Sequence, residues 1–193
     1  MPYNTQSTII EHTKNLFSLY GYEGFSMRVL ERESGIGLSS MYHHYTNKDD
    51  LLKDAFYTIN KKLGEKRVEF PHEQSAKDML MSRILFQFEH MADVVFILKY
   101  YMHFRSQFPK GETGYTPENG YLHITEVIEH GISTGEFSVP MSDLHATSKT
   151  ITHTINGYVL EYFPEQIKGA ELKQLATFIH SFLLGSLKER SLV

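Results

Sequence analysis

Residues 40–50 read Ser40-Met41-Tyr42-His43-His44-Tyr45-Thr46-Asn47-Lys48-Asp49-Asp50. Two imidazoles lie between two phenols, next to a lysine and two carboxylates. Histidine can ligate a metal, shuttle a proton or hydrogen-bond across a surface. Ligation from one helix needs side chains three or four positions apart, whereas adjacent residues diverge by about 100°. His145 and His153 are eight apart and His123 and His130 seven apart, spacings that chance supplies among eleven histidines. No nucleophile–base spacing accompanies them, and there is no cysteine. We therefore expect no metal, no cofactor and no enzyme. What remains is hydrogen bonding and charge on an exposed surface.

Helical periodicity sets the elements that must present that surface. Ile9, Ile10, Leu16, Phe17 and Tyr20 fall mostly on one face of a first helix from Thr5, and Gly21 stops the run. Ser26 can cap a short helix over Met27–Ser34, with Phe25 and Leu30 at hydrophobic-staple spacing, and Gly35 ends it. A second short helix is expected over Leu38–Tyr45. Thr46 and Asp49 then suggest a capping-box start for a long helix to about Arg67. Further helices are expected near 75–91, 93–108, 118–134, 142–163 and 169–189, with a surface loop at 109–117. No sustained strand alternation occurs, so the fold class is all-α.

Two short helices joined by a glycine-containing turn, after a third helix, describe a helix-turn-helix, whose second helix enters the DNA major groove. Leu38–Tyr45 would be about 12 Å long, short enough for that groove. Met41 and Tyr45, four apart, share the face turned to the core. Ser39, Ser40, Tyr42, His43 and His44 point elsewhere and suit phosphate oxygens and base edges. Lys48 and Arg28 each add a charge in the first turn of a helix, where backbone amides also favour an anion.

Gly21-Tyr22-x-Gly24-Phe25-Ser26, Arg28 and the run from Ser34 to Leu52 resemble the N-terminal domain of the tetracycline-repressor (TetR) family of bacterial transcription regulators. The match lies at Gly35, Ile36, Ser40, Met41, Tyr42, His44, Tyr45, Lys48 and Leu51, and it covers roughly the first 50 residues in detail. The rest is similar in length and helical plan. The resemblance implies phosphate contacts from Ser40, Tyr42, His44 and Lys48, with Ser39 and His43 facing bases and Leu38 nearby. The chain departs from the family's pattern with Gly37 for a capping serine, Ser39 for glycine and Glu31 for alanine. Glu31 is expected to face solvent or to pair with Arg28 or Arg32.

The domain organisation expected is a helix-turn-helix domain over 1–48 and a larger helical domain over 49–193, with 49–67 as the connecting helix. Phe96, Tyr100, His103 and Phe104 share a helical face, and Phe86, Met91, Tyr121, His153, Asn156, Tyr158 and Tyr162 can join them around a cavity. Ordinary bundle core is the alternative for each. The resemblance implies an inducer pocket in this domain. Leu172, Leu175, Ala176, Ile179, Phe182, Leu183 and Leu187 form a wide apolar stripe. With Ile151, Ile155 and Val159 it can build a four-helix dimer interface or an internal core.

At 193 residues and 41% hydrophobic composition the chain can bury a sizeable core. Its net charge is −4, yet 1–67 carry nine Lys/Arg against eight Asp/Glu, and 68–193 carry ten against fifteen. The N-terminal third is thus the less repulsive to phosphate. With no apolar run near the ~20 residues of a membrane span and no secretory leader pattern, a soluble cytoplasmic protein is expected. The reading is a homodimeric regulator, most simply a repressor, that binds pseudo-palindromic double-stranded operator DNA and is released by a small-molecule effector. The rival is a helical small-molecule-binding or protein-interaction module without DNA binding.

Overall fold

The computed structural model describes residues 5–66, 74–108 and 121–187. Among these the regular elements are helices, α1 (Thr5–Gly24), α2 (Met27–Ser34), α3 (Leu38–His44), α4 (Lys48–Lys66), α5 (Ala76–Glu89), α6 (Met91–Phe104), α7 (Leu122–Ser133), α8 (Leu144–Tyr162) and α9 (Gly169–Ser186). Short 3-10 turns at Arg105–Gln107 and Met141–Asp143 follow α6 and precede α8. The all-α reading holds. The expected loop at 109–117 and the last residues of the expected 169–189 helix lie outside the described residues. No described helix is long and apolar enough to cross a membrane.

The described residues form two compact units, one of 5–66 with 92–108 and one of 74–91 with 121–187. In the first, α1 packs on α2 and α4, and α2 packs on α3. The core face of α1 is Ile9, Ile10, Thr13, Leu16 and Phe17, all buried. Gly21 does break this helix, at φ 66 and ψ −170, and the chain then makes one further turn to Gly24. Lys14 is also buried in this unit, bonded to Glu11 and 3.0 Å from Asp93. Burial pulls its pKa down, but the Glu11 bond and the Asp93 charge outweigh that and raise it.

The aromatic side of α6 completes this core. Phe96 packs edge-on against Phe17 at 5.3 Å, and Tyr100 stacks on Phe56 of α4 at 4.5 Å between ring centres. Phe104 lies 4.6 Å from Tyr100. Burial pushes the Tyr100 hydroxyl up to about 12. In the second unit α5 packs against α7, α8 and α9, and α7 against α8. Gly131 of α7 lies against the Phe137 ring so closely that a Cβ there would stand 2.1 Å from a ring carbon.

Candidate nucleic-acid interface

Local rules build the helix-turn-helix. Ser26 Oγ accepts the Val29 amide at 3.2 Å, which caps α2, and Phe25 and Leu30 of the expected staple are both fully buried. Gly35, at φ 70, ends α2 in the left-handed region that glycine tolerates, and its N–H donates to the Glu31 carbonyl at 2.9 Å. α3 then starts at Gly37, which has no side chain to cap it.

Glu31 supplies what Gly37 lacks. Its carboxylate accepts the backbone N–H of Leu38, the first residue of α3, at 2.9 Å. It therefore neither faces solvent alone nor pairs with the neighbouring arginines. Arg32 instead bonds Glu33 at 2.9 Å. A carboxylate at a helix N-terminus satisfies an orphan donor and complements the helix dipole. Periodicity could not reveal this, because the contact joins two helices across a turn.

The N-terminus of α4 also differs from expectation. Asn47, not Thr46, is the cap: its Oδ1 accepts the amides of Asp49 and Asp50, each at 2.9 Å. The helix accordingly begins at Lys48. Asparagine caps at least as well as threonine, and here it stands one residue closer to the amides that need an acceptor.

On α3 the two faces separate as the spacing implies. Met41 is fully buried and Tyr45 nearly so, while Ser39, Ser40, Tyr42, His43 and His44 are exposed and Leu38 is half-buried. Tyr45 closes the helix with extended backbone and turns inward. Its hydroxyl donates to Asp54 of α4 at 2.7 Å, and Gln6 of α1 donates to the same carboxylate oxygen at 3.1 Å. Burial first, and the Asp54 bond second, raise the Tyr45 pKa, so the phenol stays a donor. The rings of His43 and His44 lie 5.6 Å apart and inclined by 71°. Among the described residues no three His, Asp or Glu side chains are grouped to hold a metal ion.

Arg28 is exposed on α2. Lys48 is half-buried and held: its ammonium lies 3.5 Å from the centre of the Tyr22 ring and donates to the Tyr22 carbonyl at 3.3 Å. The Tyr22 hydroxyl donates to Asp49 at 2.8 Å, and that bond, more than burial, raises its pKa. Tyr22 also stacks on His103 of α6, 3.8 Å between ring centres, and meets Phe104 edge-on at 5.6 Å. One ring thus ties the end of α1, the start of α4 and the end of α6. The sequence displayed Tyr22 between two glycines without indicating this role.

The expected cavity residues are distributed over both units. Phe96, Tyr100 and Phe104 are core of the first, and His103 is exposed beside Tyr22. In the second, Phe86 packs edge-on against His90, Tyr121 lies 4.6 Å from the His145 ring, His153 is exposed and Tyr158 is half-buried. Asn156 is 6% exposed, and its Oδ1 has no hydrogen-bond partner. It continues a buried row on α8 with Ser148 and Thr152, whose hydroxyls donate to the carbonyls of Leu144 and Ser148. Gln87 Oε1 on α5 is likewise buried without a partner.

The wide apolar stripe also divides. Ile151, Ile155, Val159, Ala176, Ile179, Leu183 and Leu187 are buried within the chain. Leu172 and Leu175 are half-buried. Phe178 and Phe182 of α9 face outward, 59% and 66% exposed, and so does Leu160 of α8.

Comparison with known proteins agrees with this geometry. Residues 9–55 match the family described as bacterial regulatory proteins, tetR family. A curated relative, the HTH-type transcriptional repressor AcnR of Corynebacterium jeikeium, is 32% identical over 57 residues. That match takes in 30% of this chain, and the chain spans 30% of the length of AcnR. Over nearly the full length the fold is similar to that of solved proteins. A tetR-family regulatory protein from Rhodococcus RHA1 superposes with TM-score 0.64 at 18% identity, over 96% of this chain and 97% of that one. The ketosteroid transcriptional regulator KstR2 of Mycobacterium tuberculosis does so with TM-score 0.64 at 16% identity, over 98% of both chains. Residues 9–55 thus carry the helix-turn-helix signature of the TetR family of bacterial regulatory proteins, on a chain whose fold is similar to that of these solved proteins.

Proposed function

We propose that the chain is a homodimeric repressor that binds pseudo-palindromic operator DNA in the cytoplasm and is released by a small-molecule effector. The observation that carries this reading is the two-sided character of α3, with Met41 and Tyr45 inward and a continuous outward face of hydroxyls and rings. On this reading Ser40, Tyr42, His44, Lys48 and Arg28 engage phosphates, and Ser39 and His43, with Leu38 beside them, meet base edges. Lys48 arrives already positioned by Tyr22, so less side-chain freedom is lost on meeting a phosphate.

The domain division follows function: 1–48 touch DNA, and 49–193 bind effector and the second subunit, with α4 linking the two roles. The dimer is supported by Phe178 and Phe182, which share a solvent-facing apolar side of α9 of the kind that marks protein–protein contacts. The effector site draws on Phe86, Tyr121, His153, Asn156 and Tyr158 of the second unit. Among these, Asn156 has the clearest polar role. A buried amide oxygen left unpaired costs about 1–3 kcal/mol, and a ligand hydroxyl or N–H would remove that cost. An effector that favours a conformation with the wrong spacing of recognition helices would weaken operator affinity through that difference.

The test is selection of bound sequences from random duplex DNA. The expected product is a pair of inverted half-sites whose centres are about 34–36 Å apart or a multiple of that. Recovery of no enriched sequence at low salt would refute DNA recognition.

A further inference from the structure

Where Gly21 breaks α1, the preceding residues Leu19 and Tyr20 are turned outward, 44% and 60% exposed. Met102 of α6 is 73% exposed, and all three line one open depression of about 410 Å³ with Tyr22, Lys99 and His103. Isolated exposed apolar side chains need no explanation, but three converging on a concavity of small-molecule size do. The depression belongs wholly to the first unit and involves none of the residues assigned to DNA contact.

We propose that this groove binds a small planar aromatic anion. Leu19, Tyr20 and Met102 offer apolar surface to the faces of a ring, and the stacked pair of Tyr22 and His103, 3.8 Å between ring centres and inclined by only 17°, borders the groove. Among the lining residues the basic groups are Lys99, whose ammonium also donates to the Ser18 carbonyl, and His103, and no carboxylate lines the groove. Two acidic groups act on Tyr22 from beyond it: Asp49 accepts the Tyr22 hydroxyl at 2.8 Å, and Glu23 is exposed next in sequence. A ring bearing an anionic group therefore gains from the Lys99 charge in a groove without a lining carboxylate. Occupancy would also be felt beyond the groove, because the Tyr22 ring that borders it carries the Lys48 ammonium at 3.5 Å.

The experiment is a fluorescence titration of the full chain with 8-anilinonaphthalene-1-sulfonate, an aromatic sulfonate, and with the uncharged ring analogue N-phenyl-1-naphthylamine. Two variants, Met102→Glu and Met102→Lys, alter the groove's charge at a side chain that is mostly in solvent and leave the fold intact. Met102→Glu is expected to weaken the sulfonate roughly fivefold and Met102→Lys to tighten it, with the uncharged analogue indifferent to the choice. Tyr20→Ala should weaken both dyes. Equal sulfonate affinity in the two charge variants would overturn the proposal, since a dye held on other apolar surfaces would not sense position 102. So would a change of sedimentation from larger to smaller particles in Met102→Glu without altered dye affinity, which would make the groove a contact between copies. Both readouts are independent of DNA binding.

Discussion

The Glu31 carboxylate on α2 accepts the backbone N–H of Leu38, the first residue of α3, at 2.9 Å. Its own carbonyl accepts the N–H of Gly35 at the end of α2. One residue thus finishes the first short helix and starts the second. Two departures from the family's pattern, an acid for alanine and a glycine for the capping serine, offset each other. Glu31→Ala should lower unfolding free energy in urea by about 1 kcal/mol, the usual worth of a side-chain cap. Glu31→Gln, which keeps an acceptor, should lose much less. Equal loss in both variants would show that charge rather than the bond is what matters.

Lys48, the first residue of α4, rests on Tyr22, and we assign it to phosphate contact. Lys48→Ala should weaken operator binding across all sequences and reduce the slope of log affinity against log salt by about one. Tyr42→Ala should weaken binding with little sequence preference, whereas His43→Ala should change which bases are selected. Gel shifts at several salt concentrations separate these effects. Intact binding in Lys48→Ala and Tyr42→Ala would mean that α3 docks differently.

Glu136 carries a pH dependence. Its carboxylate accepts the amides of Ala76 at 2.9 Å and Lys77 at 3.4 Å, capping α5 from the turn after α7. Burial alone would raise its pKa, but the two amides and the Thr134 hydroxyl outweigh burial and hold it below the ordinary 4.5. A depressed carboxylate contributes stability that is present above its unfolded value and lost as pH falls through the folded one. Glu136→Gln should therefore melt lower at neutral pH, by about 1 kcal/mol in stability. The gap to the parent should close well below pH 4.5. A constant gap from neutral to acid would contradict the assignment.

At Gly131 the backbone approaches the Phe137 ring, which is 5% exposed and has little room to move. Gly131→Ala should destabilise by about 1–3 kcal/mol in chemical denaturation, as overpacking does. Gly64, within α4 and with open space around its Cβ position, provides the contrast. Gly64→Ala should stabilise by about 0.5–1 kcal/mol. A neutral Gly131→Ala would mean that the ring yields.

Phe178 and Phe182 stand four residues apart on α9, facing solvent in the isolated chain. Phe182→Glu should shift the chain from dimer to monomer in analytical ultracentrifugation while leaving its helicity unchanged. Persistence of the dimer would move the interface elsewhere.

Much of the helix-turn-helix was legible from local rules. The cap at Ser26, the stop at Gly35 and the inward pair Met41 and Tyr45 depend on residues within a turn or two of one another, and such interactions act before distant parts meet. The exposed row on α3 follows from the same spacing. α9 was half legible: periodicity marked an apolar stripe, but Ala176, Ile179 and Leu183 face inward while Phe178, which the stripe omitted, joins Phe182 outside. A period defines faces and leaves open what each face meets.

The sequence by itself therefore determined the helices, the exposed face of α3 and the family signature, because backbone capping and helical periodicity are short-range. Only the tertiary structure decided that Glu31 caps α3 and that Tyr22 joins α1, α4 and α6. It also decided that Phe96 and Tyr100 pack with Phe17 and Phe56. Each of these joins residues on different elements, and such partners are chosen by shape and by the cost of burying unpaired polar groups.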